Sequence, residues 1–208
     1  TRLLLLIIFV TGCAARPRPG TAPWRGDDPR AQLAARRAAA IADLHAYRVA
    51  EAYPAQPDGL PLSVFRDEQG RRCAMAELIF RSGGAELVDA VATLDNSLRL
   101  ANVTDGPLMT WMLTSGLTRD EIIAIQGPDM YRVSIEPSTI MPTVGVYGSI
   151  ADARADLTAR LAALETSLTA TTEASLDVAV ASLPAPLLAQ RSSSSSTSNS
   201  SVALGGIT

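Results

Sequence analysis

The residues best suited to nucleophilic chemistry are a cysteine and a histidine. The chain has two cysteines, Cys13 and Cys73, and one histidine, His45. A histidine base beside a thiol makes a nucleophile, so Cys73 and His45 form one candidate catalytic pair. Ala74, Met75 and Ala76 follow Cys73, however, and this apolar setting is typical of a buried, inert cysteine that packs against Met75 or Phe65.

Paired carboxylates are the second candidate. Glu77, Glu86 and Asp89 fall on two short predicted helices, and their convergence would suit an envelope hydrolase such as a glycosidase, which needs two carboxylates at a set separation. Asp120 and Glu121 are also adjacent. In Thr118–Glu121 the spacing is that of a capping box, which gives Glu121 a structural role instead.

Several other chemistries are disfavoured. One histidine and no CxxC motif argue against a zinc site, and we expect no metal or cofactor. All 18 basic residues are arginines, so chemistry that needs a lysine, such as Schiff-base formation or a P-loop, is excluded. The net charge is −3, and without a basic field we expect no nucleic-acid partner.

The N-terminal residues indicate export. Arg2 precedes an apolar run, residues 3–10, that is too short to cross a bilayer, which needs roughly 20 residues. The run ends in Val10-Thr11-Gly12-Cys13, which resembles the lipobox of bacterial lipoproteins. The resemblance implies that residues 1–12 are a signal peptide and that Cys13 carries a diacylglycerol, with a further acyl chain such as palmitate on the new amine. Ala14 after the cysteine implies the outer membrane if the host is Gram-negative.

The rest of the chain predicts a mainly α fold: a small bundle of short helices with one β-hairpin, plus a C-terminal helix. Residues 13–30, rich in Pro, Gly and Arg, would be a tether, and residues 31–128 an α-rich globular domain. That domain begins with a long helix that we expect to bury Leu33, Ala40, Ile41, Leu44 and Ala52. Residues 62–75 have the pattern of the hairpin, and a helix over 85–94 should bury Leu87, Val88, Val91 and Leu94.

The last third is simpler. Residues 129–148 predict a linker or short strands, residues 149–183 an amphipathic helix, and residues 184–208 a disordered serine-rich tail. The helix has an apolar stripe of Ile150, Leu157, Leu161, Leu164 and Leu168. An apolar stripe needs a partner, and we expect it to pack on the α-rich domain; the alternative is a second copy of the helix.

Residues 43–128 also resemble an uncharacterised set of exported bacterial proteins, through RRCAMAELIFRSGG and LMTWMLTSGLTRDEIIAIQGP. This resemblance implies a domain boundary and no chemistry.

Taken together, the sequence favours a non-enzymatic, lipid-anchored cell-envelope protein with a binding or scaffolding role. Its expected partners are the membrane, through the anchor, and an envelope protein or peptidoglycan. Two alternatives stay open: an envelope hydrolase that uses Glu77 and Asp89 or the Cys73–His45 pair, and a structural lipoprotein that self-associates through the last helix.

Overall fold

The structure is a computed structural model that describes residues 28–127, 130–133, 144–185 and 187. The predicted signal peptide, the lipobox with Cys13, nearly all of the tether, the middle of the 129–148 segment and most of the serine-rich tail lie outside the described residues. Seven α-helices dominate the described part: α1 (Pro29–Ala50), α2 (Ala74–Arg81), α3 (Ala85–Leu94), α4 (Gly106–Thr114), α5 (Arg119–Gln126), α6 (Ile150–Ala170) and α7 (Thr172–Ala181). The prediction of a mainly helical fold is confirmed.

Two short strands, β1 (Met130–Val133) and β2 (Val144–Tyr147), occupy the ends of the 129–148 segment. They pair in parallel, with Met130 opposite Val144. Between α3 and α4 the chain also makes a single 3₁₀ turn, Leu100–Asn102.

Helix α1 forms the axis of the fold. Its start is set by the side chain of Asp28, which accepts a hydrogen bond from Ala31 N at 3.0 Å, and by Pro29, whose missing N–H costs nothing in the first turn. It ends where Glu51 adopts a left-handed conformation with φ of 48°. Leu33 and Leu44 are fully buried as expected, whereas Ala52 lies beyond the helix and is exposed.

The predicted β-hairpin at 62–75 is not formed. Only one antiparallel bridge, Arg66 with Arg72, is present there. The backbone donors are satisfied locally instead: the side chain and backbone carbonyl of Asn96 accept the amides of Arg66 and Phe65. The carboxylate of Asp67 accepts three more amides, those of Ala55, Gln69 and Arg71. Because these backbone N–H groups already have hydrogen-bond partners, they cannot form the hydrogen-bond ladder of a β-hairpin.

Helices α2 to α5 are short and pack around one core. Their buried faces include Met75 and Ile79 on α2, Val88 on α3 and Ile122 on α5. The expectation for Leu94 is wrong, because that side chain is 86% exposed. It is the last residue of α3, and Asp95 turns the chain away from the core immediately after it.

The predicted C-terminal helix is two helices, α6 and α7, which meet at Thr171. The stripe on α6 is covered by the rest of the fold: Leu157, Leu161 and Leu168 are buried in the same core as α1 and α5. The prediction that α6 packs on the α-rich domain is therefore confirmed, and the stripe is not free to pair with a second copy.

Helix α7 has a small core of its own. Leu176, Ala179 and Leu183 are buried against Leu33, near the start of α1 and apart from the main core. Among the described residues, no helix combines the length and apolar character needed to span a bilayer.

Candidate functional site: an apolar groove braced by a buried ion pair

The structure separates Cys73 from His45. The imidazole Nδ1 of His45 lies 3.1 Å from Glu165 Oε2, on the surface between α1 and α6. Cys73 caps α2, where its Sγ accepts from Ala76 N at 3.5 Å. Burial raises the pKa of the Cys73 thiol, which disfavours the reactive thiolate. The two side chains are therefore not paired with each other in this structure, and Cys73 is a half-buried helix cap beside a cavity of only about 20 Å³.

The proposed catalytic carboxylates are each held by arginines. Glu77 accepts from Arg72 at 2.9 Å and from Arg81 at 2.7 Å. Asp89, on α3, pairs with Arg66. Neither carboxylate lines any of the three cavities found in the described part of the chain. In the described ranges, no group of three or more His, Cys, Asp or Glu side chains is arranged to hold a metal ion.

The most elaborate polar cluster is the pair Arg37–Glu121. Arg37, on α1, has only 1% of its side chain exposed, and its guanidinium binds both carboxylate oxygens of Glu121 at 2.8 and 2.7 Å. It also donates to the carbonyl oxygens of Gly116 at 3.2 Å and Leu168 at 2.7 Å. A buried charge is tolerated only when it is paired and hydrogen-bonded, and Arg37 meets both conditions.

Glu121 serves two purposes at once. The predicted capping box is confirmed: Thr118 N donates to Glu121 Oε2 at 2.8 Å, while the Thr118 hydroxyl accepts from Glu121 N. The other oxygen, Oε1, accepts from Ser175 Oγ on α7 at 2.7 Å. Burial acts to raise the pKa of Glu121, but the hydrogen bonds from Arg37, Thr118 and Ser175 outweigh it and the pKa is lowered. The pair thus ties α1, α5, α6 and α7 together.

An apolar groove of about 290 Å³ lies directly beside this cluster, between α4 and α7. We call it the methionine groove; its apolar walls are Met109, Met112, Leu113, Leu117 and Ala179. Thr118, Arg119 and Ser182 complete the lining. Met112, Leu117 and Ala179 are each 3% exposed and form the floor, while Met109 and Leu113 are half-buried at the edges.

The position of α7 sets the width of the groove. Helix α7 supplies one wall, and its attachment depends on the bond from Ser175 to Glu121 and on two surface ion pairs of Arg30, with Glu173 and Asp177. Since exposed ion pairs contribute little, the buried bond to Glu121 and the small core of α7 carry most of the attachment. The buried Arg37–Glu121 pair therefore helps to hold α7, and with it one wall of the methionine groove, in place.

A second, shallower groove runs between α1 and α6, with a volume of about 780 Å³. Its lining is mostly alanine and threonine, including Ala38, Ala42 and Thr166. The polar end is already occupied, because Glu165 accepts from Arg48 at 2.6 Å and pairs with His45. Its short side chains offer a ligand little apolar contact, and its carboxylate already has partners. The methionine groove is therefore the better candidate for a binding site.

Sequence reasoning missed both parts of this site. Arg37 lies four residues after Leu33 and seven before Leu44, on the face of α1 that was expected to be apolar. A charge in that position was a signal that the helix needs a buried counter-charge. The methionine groove had no comparable signal, because its two walls are about 70 residues apart in the chain.

Comparison of the chain with protein families, curated proteins and solved structures finds no match.

Proposed function

We propose that this chain is a lipid-anchored cell-envelope protein with a non-catalytic binding role, and that its ligand lies in the methionine groove. The anchor would be a lipid on Cys13, which places the protein at the outer membrane if the host is Gram-negative. The expected partners are the membrane and a component of the envelope; no nucleic acid and no cofactor is invoked.

The observation that carries the binding role is the groove itself. Its walls are five apolar side chains, and no other described segment fills the space between α4 and α7. Open apolar concavities of this kind are typical of ligand sites. Methionine has a flexible, polarizable side chain, so Met109 and Met112 suit a surface that adapts to an apolar ligand.

The anchoring role is supported by the order of residues 10–13 and by the chain that follows. Fifteen residues lie between Cys13 and Pro29, the first residue of α1. A chain of that length reaches at most about 55 Å when extended. The anchor would therefore hold the groove within one or two domain diameters of the bilayer.

Fractionation of the producing cells tests the anchor. With a clickable fatty acid in the medium, we expect the protein to be labelled and to sediment with membranes. Cys13→Ala should abolish the label and leave an unprocessed or released form. Equal labelling of the Cys13→Ala variant would refute the lipid anchor.

Photo-crosslinking in the same cells tests the groove. A photoreactive residue at Leu113, on the edge of the groove, should form an adduct with whatever occupies it, while the same residue at Ala163, an exposed position on α6, serves as the matched control. We expect an adduct at Leu113 that the Ala163 position does not give, and mass spectrometry reports whether it is a peptide or a lipid. No adduct above the control would refute a binding role for the groove.

A further inference from the structure

We propose that the methionine groove binds a single-chain carboxylic acid: a free fatty acid of medium length, with its chain between α4 and α7 and its carboxylate on Arg119. This inference rests on the proposed function, and names the chemical class of its ligand.

The size and shape of the groove fit one acyl chain. A volume of about 290 Å³ accommodates roughly ten methylene groups at the packing density of protein interiors. Met112, Leu117 and Ala179 are already almost fully buried, so the water-exposed apolar surface of the groove belongs mainly to Met109 and Leu113 at its edges, and an acyl chain would gain its apolar contacts there.

The charge at the groove favours an acid. Arg119 is the one charged residue in the lining, and its side chain is not within 4.0 Å of any carboxylate in the described part of the chain. Its Nη2 donates to Ala101 O at 2.6 Å and its Nη1 lies 3.9 Å from Met109 Sδ, contacts that hold the guanidinium beside the groove. A guanidinium has five N–H donors in a fixed fork, which leaves donors for a carboxylate.

The remaining polar groups do not favour a peptide. The Thr118 hydroxyl accepts from Glu121 N, and the Ser182 hydroxyl donates to Val178 O at 2.8 Å. Both hydroxyls therefore serve the helix ends. A peptide backbone would bring amides and carbonyls that need partners, whereas an acyl chain brings none.

A titration of the full chain with decanoate tests the proposal. The chain would carry Cys13→Ser, so that it has no acyl chain of its own, and ¹³C-methyl methionine. We expect the methyl signals of Met109 and Met112 to shift, and that of Met75, which is fully buried in the main core, to stay in place. Each added methylene should tighten binding about four-fold, so decanoate should bind about fifteen-fold more tightly than octanoate.

Substitution of Arg119 separates head-group recognition from chain burial. Arg119→Gln should weaken decanoate about three- to five-fold more than it weakens 1-decanol, because only the acid uses the charge and Arg119 is exposed. The matched control is Arg154→Gln: Arg154 also donates to a backbone carbonyl, that of Glu51, but lies away from the groove, and its loss should alter neither ligand.

Two results would overturn the inference: unchanged Met109 and Met112 signals at saturating decanoate, or equal binding of decanoate and decanol with no effect of Arg119→Gln. A peptide adduct at Leu113 in cells, together with unmoved methionines, would refute the fatty acid and leave the groove's binding role standing. No adduct at Leu113 would refute the proposed function itself.

Discussion

The buried ion pair gives the sharpest prediction about stability. In Arg37→Met the new side chain has a similar length and is apolar, so packing around α1 is largely kept while the charge and its hydrogen bonds are lost. Glu121 then remains as a carboxylate, 16% exposed, without its cation. Removal of one partner of a buried pair typically costs 3–5 kcal/mol, because the other charge is left uncompensated.

The hydrogen bonds set the magnitude within that range. Glu121 keeps its bonds from Thr118 N and Ser175 and some contact with water, which favours the lower end, about 3 kcal/mol. Leu168 O still accepts from Thr172 after the change. Gly116 O loses its bond from Arg37, which adds about 1 kcal/mol. We therefore expect Arg37→Met to lower the free energy of unfolding by about 4 kcal/mol, a fall in Tm of about 8–16 °C for a chain of this size.

A double-mutant cycle isolates the pair. Glu121→Gln alone should also cost about 4 kcal/mol, since it leaves the guanidinium of Arg37 charged and 1% exposed. The double variant should cost about as much as Arg37→Met alone, because the second change no longer breaks a pair. Urea unfolding of the four full-length chains at pH 7, each with Cys13→Ser, measures the cycle. Additive costs, or a cost below about 1 kcal/mol for Arg37→Met, would refute the reasoning.

The same pair predicts a dependence on pH. The pKa of Glu121 is lowered from its ordinary value of 4.5, so its contribution is fully present above that value and is lost as the pH falls through the lowered pKa. The difference in stability between wild type and Glu121→Gln should therefore be constant from pH 7 to about pH 5 and shrink as the pH approaches 3. A difference that stays constant down to pH 3 would mean that the carboxylate is not held by Arg37.

Three further predictions concern single positions. Gly116→Ala should cost about 3 kcal/mol or more in urea unfolding, since φ is +81° and a Cβ would overlap the backbone of α1, whereas Gly70→Ala, with similar φ and open space, should cost only about 1–2 kcal/mol. Cys73 should react slowly with a maleimide in the native state, and Cys73→Ser should change stability by less than about 1 kcal/mol, because a serine hydroxyl accepts the Ala76 amide well at a helix N-cap; fast labelling would contradict this. Asp67→Asn should cost about 2 kcal/mol at pH 7 and progressively less below pH 4, because burial acts to raise the pKa of Asp67 but its hydrogen bonds lower it further; a cost that does not change with pH would count against it.

The helices were predictable because their ends are encoded locally. Asp28 and Pro29 begin α1, Gly83 and Gly84 separate α2 from α3, and the capping box at Thr118 begins α5. Each of these signals acts within four or five residues, so it can be read from the sequence alone, whereas the break between α6 and α7 at Thr171 was not predicted. The burial of the apolar stripe on α6 was equally predictable, since an apolar face on a long helix has to be covered.

Three of the failures involve partners that are distant in the chain. The local sequence of residues 62–75 has the pattern of a hairpin. However, Asn96, about 30 residues away, forms hydrogen bonds with the backbone that a second strand would have formed. Arg37 and Glu121 are 84 residues apart. The Cys73–His45 pair was proposed from residue type alone, and His45 proved to face Glu165, 120 residues further on. Residue type and spacing do not show which residues that are distant in the chain will be in contact.

The exclusive use of arginine as the basic residue has a structural consequence in this fold. A short helix leaves about half of its carbonyl groups unbonded at its C-terminal end. Arginines donate to many of these: Arg36 to Thr114 O at the end of α4, Arg160 to Ala124 O in the last turn of α5, and Arg154 to Glu51 O just after α1. A cation there also opposes the negative end of the helix dipole. A fork of five donors can bind a carbonyl and a second group at once, which the compact ammonium of lysine does less well.

Arg119 shows why that capacity matters for the proposed site. It binds Ala101 O in the 3₁₀ turn and lines the methionine groove, so a structural contact holds the same guanidinium that would receive a ligand's carboxylate. Loss of Arg119 therefore perturbs both the turn and the groove. The affinity for an uncharged ligand of equal chain length should change only through the altered turn, whereas the affinity for an acid should also fall because the charge is lost. The difference between decanol and decanoate in the Arg119→Gln variant is for this reason the quantity that separates recognition from folding.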